Sequence, residues 1–464
     1  MNVLLTHGYF LNDDAKERAI MRPYPPLGIL YISAYLEQHR IDHEIFDTTF
    51  STKADLKKHL LDKRPGVIGL YVNLMTKVNV LEIILFLKDN IQPCQIILGG
   101  PEVRHHAENF LRHGADYVVM GEGEESMMEL IQSISGTPSS NVTTIRGIAF
   151  LKHGEFIQTE EREKIKDLDQ LPLPNRKKIN LHLYLDAWKN FHGSNAISVS
   201  TMRGCPYTCK WCSRAVYGLS YRRRSPEKVV EELISIQNEY HPDALWFVDD
   251  VFTISHKWLT GFQQELNMKS LRIPYECITR ADRLNEEVIR ILKDTGCFRV
   301  WIGAESGSQR VIDLMDRRVN VVQVREMIKM SKKYGIEAGT FIMLGYPGET
   351  EADIEETIRH LKDSDPDYFT ITLAYPIKGT ELYQEVESLQ TNVLDWQHSS
   401  DRQIDFIRAY PRKYYDFAIQ HVVNEVNYHK SKNGKPSLKR VKLKINSLRA
   451  KAGMHWHRRR SVNG

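Results

Sequence analysis

Three of the six cysteines in this 464-residue chain, Cys205, Cys209 and Cys212, share one short loop. The loop reads Arg203-Gly204-Cys205-Pro206-Tyr207-Thr208-Cys209-Lys210-Trp211-Cys212, a C-x3-C-x2-C spacing with an aromatic residue just before the third thiol. Thiolates are soft ligands suited to zinc or to iron–sulfur clusters. Structural zinc usually takes four protein ligands, and no fourth cysteine or obvious histidine pair accompanies these three. An iron–sulfur cube held by three thiolates instead leaves one iron open to a small molecule. The other cysteines, Cys94, Cys277 and Cys297, are scattered and read as bystanders, with no disulfides expected in a reducing compartment.

The loop follows an apolar run at 196–199, the first of six. The others lie at 244–248, 275–278, 299–302, 340–344 and 368–373, separated by helical patterns such as 226–239, 286–294 and 322–334. Six βα units predict a partial parallel barrel, with chemistry at the carboxyl ends of its strands. The first 150 residues alternate in the same way and predict a doubly wound parallel sheet. Two of its strands end in Gly99-Gly100-Pro101 and Gly121-Glu122-Gly123-Glu124, where such sheets bind ligands. A hairpin is predicted over 145–159, and the proline-rich 167–175 reads as a linker. The fold class is therefore α/β, with four parts: a Rossmann-like domain over 1–140, hairpin and linker over 141–190, a (β/α)6 barrel over 191–376, and a helical extension with a basic tail over 377–464.

The composition, 42% apolar and 26% charged, excludes a disordered polymer, a coiled coil and a small disulfide scaffold. The N-terminus turns polar early for a signal peptide, and no apolar run reaches membrane-spanning length, so a cytoplasmic protein is expected. The net charge of +4 conceals an asymmetry: 430–464 carries twelve Lys or Arg and no Asp or Glu, leaving the remainder at −8. Such a tail is a solvated face, a peripheral contact with an anionic membrane, or a site for another anionic partner. No recognisable RNA-binding module accompanies it.

The cysteine loop at the end of the first barrel strand closely resembles that of the radical S-adenosylmethionine (SAM) superfamily, over about 196–376. The resemblance implies a [4Fe–4S] cluster on Cys205, Cys209 and Cys212, SAM chelated to its open iron, and Trp211 beside the adenine. Reductive cleavage would give methionine and a 5′-deoxyadenosyl radical that abstracts hydrogen from substrate. The other strand ends imply further SAM contacts. Asp249 and Asp250 would hold the methionyl ammonium, or serve as strand-end caps or salt-bridge partners; this is a departure from the glycine-rich form usual in the superfamily. Arg280 would fork onto the SAM carboxylate or a ribose hydroxyl, or form a plain ion pair. Glu305 and Ser306 would accept from ribose or amine, or Glu305 would cap a helix; Gly345 would let backbone approach SAM closely, and Tyr375 would lie near the adenine edge.

A doubly wound domain before such a barrel resembles the cobalamin-binding domain of B12-dependent members, over 1 to about 131. The carrying residues are Tyr24-Pro25-Pro26-Leu27-Gly28 and the two glycine turns, which imply Pro26, Gly99, Gly100, Gly121 and Glu122 as cobalamin contacts. The D-x-H-x-x-G motif that supplies a cobalt histidine in some cobalamin proteins is missing at His7. The resemblance implies a cobalamin-dependent C-methyltransferase acting on an unactivated carbon of a small-molecule, lipid or tetrapyrrole substrate. It also implies an external electron donor such as flavodoxin or ferredoxin. The alternatives are a cyclisation, oxidation or rearrangement with the same cofactors, or a non-catalytic cluster-bearing SAM sensor.

Overall fold

The computed structural model of the chain describes residues 2–136, 141–431 and 437–460. The early apolar runs form β1 (Val3–His7), β2 (Glu44–Phe46), β3 (Val67–Tyr71), β4 (Gln95–Gly99) and β5 (Tyr117–Val119). The predicted hairpin forms β6 (Ile148–Lys152) and β7 (Glu155–Gln158). Its two-residue turn, His153-Gly154, has positive φ at both positions, as a type I′ hairpin turn requires. The sheet order is β2-β1-β3-β4-β5-β6-β7, parallel as far as β5 and antiparallel beyond it.

Parallel neighbours need crossovers, here supplied by helices such as Leu27–Gln38, Lys53–Lys63 and Lys77–Asn90. Because side chains alternate across a strand, Leu4, Ile68 and Leu98 enter one apolar layer while Val3, Leu5 and Ile97 enter another. Helices cover both faces, so these strands are near-continuous apolar runs. The strand order reverses between β1 and β3, the switch point at which open α/β sheets bind ligands.

The later runs form β8 (Ala196–Val199), the two-residue pair β9 (Met202–Arg203) and β10 (Arg222–Arg223), and then β11 (Ala244–Phe247). β12 (Tyr275–Thr279), β13 (Cys297–Glu305), β14 (Glu337–Leu344) and β15 (Tyr368–Leu373) follow. Strands β11 to β15 pair in parallel in sequence order, so the predicted βα alternation is realised with a helix after each strand from β11 to β14. Helix Glu351–Ser364 is started by a capping box in which Thr350 and Asp353 satisfy each other's amides.

The chain divides into two compact units: Met1–Pro206 with Ser213–Ala244 and Leu394–Gln403, and Tyr207–Cys212 with Leu245–Val393 and Ile404–Gly464. The 377–464 extension therefore contributes to both. In the first unit Trp396 packs edge-on against Phe110 at 4.9 Å. In the second, Tyr410 and Tyr414 stack at 4.1 Å at the start of helix Arg412–Lys430, where Tyr414 and Tyr415 are fully buried. The aromatic stretch is thus core. Among the described residues no helix is long and apolar enough to cross a membrane.

Candidate cofactor sites

At the switch point of the first sheet, the carboxyl ends of β3, β4 and β5 surround a cavity of about 240 Å³. Its walls are mainly apolar, from Leu5, Ile29, Ile32, Ile97, Val119 and Met127, and its rim combines backbone of Gly28, Gly99, Gly100, Gly121 and Gly123 with the side chains of Glu122, Glu124 and Arg203. Gly100 has φ +113°, and a Cβ there would stand 2.4 Å from the Val72 carbonyl, so only glycine fits. A Cβ at Gly99 would meet nothing within 4 Å, so that backbone faces open space. A mainly apolar slot with glycine backbone and a few polar side chains at its rim fits a flat aromatic base with a polar tail, as the nucleotide arm of cobalamin is.

Gly99, Gly100, Gly121 and Glu122, expected as cobalamin contacts, line this cavity. Pro26 does not line it; it caps helix Leu27–Gln38, and Gly28 two residues on reaches the wall. The Glu122 carboxylate is held by Arg203 at 2.8 Å, Arg222 at 2.6 Å and the Ile165 amide at 2.9 Å. Arg203 also pairs with Glu124 and lies over the rings of Tyr31 and Tyr217, a fully compensated buried cation two residues before Cys205. His7 is engaged at both ring nitrogens, 3.1 Å from Asp47 on one side and hydrogen-bonded to Thr48 and the Tyr9 amide on the other.

Cys205 follows a sharp turn at Gly204, where φ is +83° and a Cβ would strike Ser220 at 2.3 Å. Cys205 itself bridges to Leu219 by backbone. In the second unit, the Lys210 amide donates to the Met315 carbonyl and the Leu382 amide to the Lys210 carbonyl, fixing the loop between Cys209 and Cys212. Arg280 and Arg317 each aim a guanidinium nitrogen at Cys209 Sγ, both at 3.7 Å. The Cys212 hydrogen bond, together with these two cations, pulls the Cys209 thiol well below its ordinary value. Within the second unit, Cys209 and Cys212 beside two fixed cations suit anionic thiolate ligands.

Arg280 is fully buried, lies 3.7 Å over the Tyr207 ring, and spends its remaining donors on Asp282 and the Arg317 and Arg318 carbonyls. Of the two expected arrangements, the ion pair is present, with Asp282 at 2.8 Å, and the guanidinium also reaches the Cys209 thiol and the loop backbone. Arg317 was not singled out from the sequence. It follows the short helix Gln309–Leu314 in Asp316-Arg317-Arg318, where either cation reads as surface charge. Only Arg318 is exposed, and the Arg317 guanidinium lies 5.6 Å over Trp211.

Glu305 has φ +65°, a left-handed conformation costly for a non-glycine residue and concentrated at functional positions. A register shift in β13 accompanies it. Its carboxylate lies 3.6 Å from Arg317, and burial pushes its carboxyl up while Arg317 opposes. Ser306 turns inward, its hydroxyl 3.3 Å from that of Thr357 and accepting from the Ser308 amide. Asp249 is buried and Asp250 exposed, so the adjacent carboxylates differ in environment. The Gly345 amide donates to Glu349 at 2.6 Å. Glu349 is fully buried, its other oxygen has no hydrogen-bond partner among the described residues, and burial raises its carboxyl to about 8. Tyr375 is half-buried just beyond β15.

Residues 199–361 match the model of the radical SAM superfamily, and residues 20–131 match that of the B12 binding domain. An uncharacterized methyltransferase of Pyrococcus horikoshii is 30% identical over 80% of each chain. The anaerobic magnesium-protoporphyrin IX monomethyl ester cyclase of Cereibacter sphaeroides is 25% identical over 85% of this chain and 65% of its own. The radical SAM methyltransferase TsrM of Kitasatospora setae, solved with cobalamin and a [4Fe–4S] cluster bound, superimposes with a TM-score of 0.71 at 16% identity. That match covers 92% of this chain and 88% of TsrM, and shows the shared fold.

Proposed function

Since the chain belongs to the B12-binding-domain radical SAM enzymes, we propose that it transfers a methyl group to an unactivated carbon of a small-molecule, lipid or tetrapyrrole substrate. Its cofactors are a [4Fe–4S] cluster, SAM and cobalamin. When bound, the cluster and SAM supply a hydrogen-abstracting carbon radical, and cobalamin supplies a transferable methyl group. The observation that carries the reading is the joint presence of the cysteine loop and the glycine-rimmed cavity in one chain.

In this reading Cys205, Cys209 and Cys212 hold the cluster. Arg280 and Arg317 stabilise its negative charge through hydrogen bonds to Cys209. Trp211, Asp249, Asp250, Glu305, Gly345 and Tyr375 contact SAM, with Glu305 held toward the site by its strained backbone. Gly99, Gly100 and Gly121 admit the cobalamin tail, and an external flavodoxin or ferredoxin delivers the electron.

The cyclase relative supports a second reading, cyclisation or oxidation with the same cofactors and no methyl transfer. SAM deuterated at its methyl group separates them, with the reduced holoenzyme supplied with metabolite and lipid extracts of a strain lacking the protein. A labelled product supports methyl transfer. An unlabelled new product formed with 5′-deoxyadenosine supports the second reading.

A further inference from the structure

The last described helix, Leu438–Arg460, has two apolar faces. Ser447, Ala450 and Met454 are buried, and Gly453 lies close against Phe417 of helix Arg412–Lys430. On the opposite side Leu438, Val441, Ile445 and Leu448 are exposed by 90, 56, 44 and 56%. Their steps of three and four residues place them in one stripe along the helix.

The cations divide in the same way. Lys444 and Lys451 face the packed side and pair with Glu425 and Glu355. Lys442 and Arg449 fall beside the exposed stripe, are exposed, and have no ion pair among the described residues. No Asp or Glu occurs anywhere in 431–464. A helix kept only as a bundle member needs one apolar face; this one carries a second, bordered by cations and clear of acids.

We propose that this outer face is a docking surface for an anionic lipid bilayer. The stripe enters the acyl boundary while Lys442 and Arg449 meet the headgroups, with the helix lying in the interfacial plane. Charge complementarity selects the occupant: a nucleic acid would use the cations and leave four apolar side chains in water, and a second copy of this face would oppose cation to cation. The inference does not depend on the reaction proposed above.

The test is co-sedimentation of the full-length holoenzyme with vesicles of phosphatidylcholine alone or mixed with phosphatidylglycerol. Binding to the anionic vesicles and little to the neutral ones is expected. The double substitution Val441→Asp with Leu448→Asp should lower the partition coefficient roughly tenfold or more. Lys442→Glu with Arg449→Glu should weaken it and remove its salt dependence. Unchanged iron and corrinoid content and helicity establish that the variants are folded, as substitutions on an exposed face should allow. Failure of the wild type to bind anionic vesicles overturns the proposal, as does binding that survives the apolar substitutions. A dimer in light scattering that dissociates with Val441→Asp, in a protein that ignores vesicles, makes the face a self-association surface and equally overturns it.

Discussion

Glu349→Gln tests whether the interior beneath the fifth barrel strand is as dry as its geometry indicates. The carboxyl is fully buried, one oxygen accepts the Gly345 amide, the other has no partner among the described residues, and its titration point is raised from 4.5 to about 8. Between those values the folded chain keeps the proton and the unfolded chain releases it. The unfolded state then binds fewer protons, so stability falls as pH rises, by about 1.4 kcal/mol per pH unit from this group. From pH 5 to pH 8 the loss amounts to about 3–4 kcal/mol, and above the folded-state value it saturates. Glutamine keeps an acceptor for Gly345 and cannot ionise. Its stability should lie near or below the wild type at pH 5 and exceed it at pH 8. The assay is urea denaturation of the cluster-free chain at four pH values, following the unit that carries Glu349. Parallel pH–stability curves for the two proteins would refute the reasoning.

Three further outcomes follow from the two cofactor sites. Replacing Cys205, Cys209 or Cys212 by Ala should abolish the cluster's iron content and electron paramagnetic signal, measured after anaerobic reconstitution; a variant that retains four irons contradicts the ligand assignment. Arg317→Met removes a cation 3.7 Å from Cys209 Sγ and should lower the cluster's reduction potential by an amount on the order of 100 mV, whereas Arg317→Lys should recover most of it. A redox titration decides, and an unchanged potential in the Met variant dissociates Arg317 from the cluster. Gly99→Leu projects a side chain into the open cavity rather than into the protein, so it should block corrinoid uptake while leaving the melting temperature nearly unchanged; uptake at the wild-type level would place cobalamin elsewhere.

The cysteine loop was legible because its information is local: three thiols at fixed spacing, an adjacent aromatic, and a strand before it. The parallel strands were legible for a related reason, since strands covered on both faces are unbroken apolar runs ended by glycine turns. Arg317 was hidden because burial of one cation in Asp316-Arg317-Arg318 depends on a backbone reversal, with Asp316 and Arg318 both at positive φ, that no periodicity announces. The ion pair of Arg280 with nearby Asp282 was legible, but its reach to the Arg317 and Arg318 carbonyls, 37 and 38 residues away, was hidden likewise. The basic tail showed its charge but not its geometry, because which apolar residues of Leu438–Arg460 are left outside is set by packing on Arg412–Lys430. Pro26 stands one residue before the helix whose Gly28 reaches the cavity, so whether it contacts the cavity itself is not legible from the turn alone.

The central claim is that one chain joins a SAM-cleaving cluster to a cobalamin site. The most direct measurement is anaerobic reconstitution with iron, sulfide and hydroxocobalamin, followed by reduction in the presence of SAM, counting iron, corrinoid and 5′-deoxyadenosine per chain. The account predicts four irons and one corrinoid per chain, with 5′-deoxyadenosine formed only when all three cysteines are present. A chain with a full cluster that takes up no corrinoid, or that holds both and forms no 5′-deoxyadenosine, contradicts it.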